Sequence, residues 1–194
     1  MSNGRILVMG IGNPLMRDEG VGPRVAELLM AGFDFPEHVE VVDAGTMGLG
    51  ILDLLRDIDH LVVIDAVQGT EHPAGTVVIM SPEEIAPNQV LHSLHDMRLA
   101  DVLQNAALII DDMPSAVVIG VQIERIEEFV LELSPACEAA LPIALAATLD
   151  ELSKLDVVPT PREGSDVNAQ IIAALRTFAP MPDADMGQTA EAAE

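Results

Sequence analysis

The sequence predicts an α/β fold built on a mixed, mostly parallel five-stranded sheet. Three observations lead there. Short apolar runs at Ile6–Met9, Val39–Asp43 and Leu61–Ile64 alternate with stretches of helical periodicity. The first of these runs ends in a glycine turn and the other two close on aspartates. A fourth run, Thr76–Met80, follows the third across only Gln68–Ala74, too few residues for a parallel crossover, so it runs antiparallel to its neighbours.

Taken in order, Ile6–Met9 is continuously apolar and bounded by Gly10, Gly12 and Asn13-Pro14, the pattern of a strand buried on both faces. Val21, Val25, Leu28 and Leu29 then share one face of a first helix. Asp34–His38 connects to the second strand, which closes on the turn Asp43-Ala44-Gly45-Thr46. Met47, Ile51, Leu54 and Leu55 repeat the helical spacing, and Leu61–Ile64 closes on Asp65. After the fourth strand and a polar loop at 81–89, Leu99, Val102, Leu103, Ala106 and Ile110 mark a third helix, and Ala116–Val121 the fifth strand. Ser134-Pro135 opens a last long helix toward Lys154, with Ser at the cap and Pro at the first helical position. Pro142 is expected to bend it.

These elements make one domain over residues 1–156. Residues 157–194 read as a C-terminal extension, with Ser165-Asp166 opening a short helix over 166–178 and a disordered tail after it.

Composition excludes several function classes. A formal charge of −23 argues against nucleic acid and anionic membrane surfaces, which call for clustered Lys and Arg. The apolar runs are too short to span a bilayer. One cysteine, Cys137, excludes an internal disulfide and a multi-cysteine zinc site, and is read as a small buried hydrophobe. Met1–Gly4 is too short for a signal peptide, so the expected location is the cytoplasm.

The chemistry gathers where the strands end, the usual place for ligands in open α/β sheets. Asn13, Asp18 and Glu19 lie in the first turn, Asp43 ends the second strand, Asp65 ends the third, and His92 and His95 precede the third helix. Singly, each has a plain structural reading: an aspartate at a strand end caps a turn, and a histidine near a helix start satisfies an amide. Together, carboxylates and an imidazole suit a borderline divalent cation such as nickel, zinc or iron, with positions open for water or substrate. A nucleotide site fits less well. Gly10 and Gly12 supply two glycines of the dinucleotide fingerprint, but Leu15 stands where the third is needed, and Pro14 removes an amide. His72, in Glu71-His72-Pro73, reads as a solvated loop residue.

Five blocks in order carry a more specific signal: GIGNPLMRDEGVG, the DAGT turn, VVIDAV, HSLHDMRLADVL and VIGVQIERIEEFVLELSP. Over about Arg5–Leu155 the chain resembles the endopeptidases that mature the large subunit of [NiFe] hydrogenases. The resemblance implies a three-layer α/β/α sandwich and an aspartic-type endopeptidase activity. That activity removes a C-terminal extension from the large-subunit precursor once nickel is inserted, so that the hydrogenase is activated. It implies Glu19, Asp65 and His95 as metal ligands and catalytic residues, with His95 preferred to His92 because it stands four residues before Leu99-Ala100-Asp101. Asp43 matches a position tied to substrate recognition or cleavage. Nickel would arrive with the substrate, other divalent ions would be able to take its place in vitro, and the enzyme would be a monomer. Glu19, Asp65 and His95 would equally serve a nickel-binding chaperone without hydrolytic activity, the alternative that a cleavage assay separates.

Overall fold

The computed structural model describes residues 4–82 and 99–163. Seven strands and four α-helices lie among them, and the first strand shows how the sequence builds the layers. In β1 (Ile6–Ile11) every side chain from Ile6 to Met9 is buried. Successive side chains of a strand point to opposite faces. Ile6 and Val8 therefore enter one core and Leu7 and Met9 the other.

The central sheet has the order β3-β1-β4-β6-β5, with β3 (Val39–Gly45), β4 (His60–Val67), β5 (Val77–Met80) and β6 (Ser115–Gln122). Its pairs are parallel except β5, which runs antiparallel to β6 as the short connection from β4 requires. α1 (Val21–Gly32) and α4 (Pro135–Lys154) cover one face, burying Val21, Val25, Leu29, Ala140, Ala144 and Leu145. α2 (Ile51–Leu54) and α3 (Leu99–Ala106) cover the other, with Ile51, Val102 and Leu103. Each fully buried Val or Leu is worth about 1.5–3 kcal/mol relative to exposure. The three-layer α/β/α arrangement is the one expected.

Local sequence explains the ends of α4. The Ser134 side chain accepts the Cys137 N–H at 3.4 Å, Pro135 starts the helix, and Pro142 lies inside it. Cys137 is buried, as its reading as a small hydrophobe predicts. α2 is much shorter than its apolar spacing suggests. Gly48 and Gly50 give the segment a 3₁₀ turn first, and only Ile51–Leu54 is α-helical.

The chain also makes a pairing with no sequence signal. β2 (Phe33–Asp34) pairs antiparallel with β7 (Thr160–Pro161), held by an Arg162–Asp34 ion pair at 2.8 Å. Val157 is buried in the α1/α4 core. The described residues after Leu155 thus pack against the end of α1. The helix expected over 166–178 lies outside the described residues. No helix among the described residues is long and apolar enough to cross a membrane.

Candidate functional site

The site begins where β1 sits between β3 and β4. The chain leaves β1 toward β3 on one side and returns to β4 on the other, so the strand order reverses at this point and opens a crevice at the carboxyl ends. The turn after β1 is folded tightly into that crevice. Gly12 has φ +134°, and a Cβ there would run into the Glu19 carbonyl. Gly22, at the start of α1, leaves no room for a side chain, because a Cβ would meet the Ile11 and Ile64 carbonyls. The close helix–strand contact that a third glycine at position 15 would give a nucleotide fold is made here by Gly22, while Leu15 is exposed. The start of α1 therefore sits directly on the ends of β1 and β4, and the preceding 3₁₀ turn (Asp18–Gly20) hangs over them.

This packing sets Glu19 near enough to Asp65 for its charge to act on it. Asp65 lies on β4 beside Gly120 of β6 and is only 8% exposed. Burial pushes its carboxyl up from the ordinary 3.8 to about 7. The Ala66 N–H opposes that rise, and the negative charge of half-buried Glu19 adds to it. Near-neutral titration is the condition under which a carboxyl group can both hold and release a proton at physiological pH.

Asp43 stands at the same end of the sheet, opposite Gly10 in the β1–β3 register. Its side chain is exposed and accepts the Gly45 N–H at 2.9 Å, while the Gly45 carbonyl accepts the Gly12 N–H at 3.1 Å. Asp43 thus shapes the rim of the crevice and is tied to the Gly12 turn through the backbone. His92 and His95 lie outside the described residues. Among the described residues no three His, Cys, Asp or Glu side chains form a metal-sized cluster. Glu19 and Asp65 are two carboxyl groups that the crevice places near one another. Hard and borderline cations accept such donors, and a cation would relieve the Glu19–Asp65 repulsion.

The other first-turn candidates have structural roles. Asn13 accepts the Leu15 N–H through Oδ1 at 3.0 Å and so caps its own turn. Asp18 is fully buried, and its carboxylate accepts the N–H of Ser134 at 2.6 Å, of Glu124 at 3.3 Å and of Arg125 at 3.5 Å. It fastens the first turn to the segment between β6 and α4. Backbone pairing completes the attachment: Met16 bridges Val130, Arg17 bridges Ile126, and the Arg17 N–H donates to the Val130 carbonyl at 2.8 Å. Arg17 has φ 54° and ψ −116°, and its guanidinium reaches Glu127 at 3.3 Å. None of these long-range partners is visible in sequence spacing. His72 is exposed on the β4–β5 loop, as read.

Residues 23–151 match the family model described as hydrogenase maturation protease. The hydrogenase 2 maturation protease of Escherichia coli strain K12 is 35% identical over 162 residues, covering 82% of this chain and 97% of that protein. The hydrogenase expression/formation protein HupM of Azotobacter chroococcum mcd 1 is 36% identical over 165 residues, covering 84% and 78% respectively. Among solved structures, the hydrogenase maturating endopeptidase HybD from E. coli superposes with a TM-score of 0.74 at 34% identity, covering 83% of this chain and 99% of that one.

Proposed function

The chain belongs to the hydrogenase maturation protease family, and from that premise we propose that it removes a C-terminal extension from a nickel-loaded [NiFe] hydrogenase large-subunit precursor. It is a peptidase, and the family is one of proteases rather than of metal chaperones. The observation that carries the substrate reading is the meeting of Glu19 and Asp65 over the ends of β1 and β4, with Asp65 pushed up to about 7.

Nickel enters this scheme as part of the substrate. Glu19, Asp65 and His95 take the precursor's ion between them, and Asp43, on the rim, faces the peptide. The ion supplies charge that positions and polarises the scissile carbonyl. The chain supplies an incomplete ligand set, which suits an enzyme that must ignore a precursor lacking the metal. With no ion present, the buried Asp65 holds its proton up to about pH 7. Taking the ion releases that proton, so engagement of the nickel-loaded precursor strengthens as pH rises through 7. Hydrolysis itself adds one water across the peptide bond, its hydroxyl to the carbonyl carbon and its proton to the departing amine.

The test is mass spectrometry of a precursor incubated with the protein, with and without nickel. The expected result is a single C-terminal truncation that requires nickel and disappears in Glu19→Gln and His95→Ala, both of which retain the fold. Equal cleavage of nickel-free precursor, or wild-type rates in both variants, overturns the reading.

A further inference from the structure

We propose that the segment 124–132, together with Leu15, is a docking surface for a basic, apolar-faced segment of the protein substrate, separate from the residues that hold the metal and the scissile bond. The proposal rests on the precursor-processing reading for the identity of that substrate.

Its first ground is an aromatic side chain placed where folding gives no reason for it. The chain has four Phe and no Tyr or Trp. Phe33 is buried and its ring lies 6.3 Å from that of Phe35, which packs on the same core. Phe129 instead is 86% exposed, and Leu131 beside it is 64% exposed. Phe129 has φ 60°, the left-handed region that a bulky residue rarely occupies. The backbone there is strained, and the ring is left in water.

The second ground is rigidity and place. A free loop would fold such side chains inward, but this segment is fixed at both ends. Asp18 binds the amides of Glu124, Arg125 and Ser134, and Met16 and Arg17 pair with Val130 and Ile126. The strand-like pairing runs the chain that carries Leu15, itself 51% exposed, alongside the chain that carries Phe129 and Leu131. Leu15 and Glu19 belong to the same β1–α1 connection, so the apolar ridge and the crevice share one segment of chain. An exposed apolar ridge of this kind marks an interaction surface.

The third ground is charge. Glu124, Glu127, Glu128 and Glu132 flank the apolar residues along the chain and are exposed, against Arg125 alone within the segment, and Glu127 is engaged by Arg17 and Arg125. The whole chain carries −23. Such a ridge repels acidic partners and a second copy of itself, and attracts a segment that presents Lys or Arg around an apolar face.

The experiment compares wild type with Phe129→Ser/Leu131→Ser and with Glu128→Lys/Glu132→Lys. Precursor cleavage is followed over a range of precursor concentrations and salt, alongside direct binding of nickel-loaded precursor by surface plasmon resonance. Exposed residues should leave the melting temperature unchanged. The expected result is a rise of about tenfold or more in KM for the apolar pair with kcat retained, the size of a lost interface anchor. The acidic pair should raise KM and flatten its dependence on salt. Wild-type KM in the apolar pair, or wild-type salt dependence in the acidic pair, overturns the proposal. So does a change in oligomeric state on sedimentation, which would assign the ridge to self-association. Should wild type bind precursor without cutting it, the processing reading fails while the binding arm still decides the docking surface.

Discussion

Two buried aspartates at the same end of the sheet have opposite fates. Asp18, at the first turn, gives its carboxylate to three backbone N–H groups from the β6–α4 segment. Asp65, on β4, has the Ala66 N–H and a neighbouring carboxylate, and its pKa climbs to about 7. A buried charge costs free energy unless donors compensate it. Where the backbone supplies the donors, the carboxylate is architecture. Where it leaves the charge under-compensated beside a second acid, the carboxyl keeps its proton toward neutral pH.

The largest expected consequence is the pH dependence of stability that Asp65 imposes on the metal-free protein. Below about pH 4 both folded and unfolded chains keep its proton. Between pH 4 and 7 the unfolded chain releases it and the folded chain does not, so rising pH removes stability over that window. A rise from 3.8 to about 7 corresponds to about 4 kcal/mol, fully lost above pH 7. Asp65→Asn should therefore match wild type near pH 4, exceed it increasingly up to about pH 7 and by a constant amount above that in urea melts, while losing cleavage. A constant difference across the range would remove the buried-acid account of Asp65.

Asp18→Ala should do the reverse. It strands the buried N–H of Ser134 and weakens the hold on Glu124 and Arg125, at a cost of about 2–3 kcal/mol at neutral pH. Urea denaturation measures it. A loss below about 0.5 kcal/mol, the range of an ordinary surface change, would place Asp18 back among the site candidates.

The contrast between these neighbours also marks how far sequence reasoning reaches. The strands were legible because an apolar run between Gly and Asp leaves few alternatives, and the antiparallel β5 followed from connection length alone. The start of α4 was legible because a Ser-Pro cap is local chemistry. Glu19 and Asp65 were legible as strand-end acids, since the carboxyl edge of an α/β sheet gathers whatever its turns carry. Asp18 was not. Its partners lie more than 100 residues along the chain, and nothing in DEG tells an anchoring carboxylate from a free one. The length of α2 was misjudged because its apolar spacing is helical while Gly48 and Gly50 defeat the first turn. The β2–β7 pair escaped because two-residue strands carry no periodicity.

The smallest effect separates the two causes of the Asp65 shift. Burial is the larger and Glu19 the smaller. In metal-free Glu19→Gln the Asp65 carboxyl, followed by carbon NMR, should titrate lower than in wild type yet still far above 3.8, because the desolvation remains when the neighbouring charge is gone. A return to the ordinary carboxylate range would instead make the pair a mutually coupled dyad, with burial incidental. The distinction bears on what can discharge the site. A site raised by burial keeps its proton to near-neutral pH whatever its neighbour does. A site raised by coupling is discharged by any proton that settles on Glu19, so its titration would follow the neighbour's charge rather than its own burial.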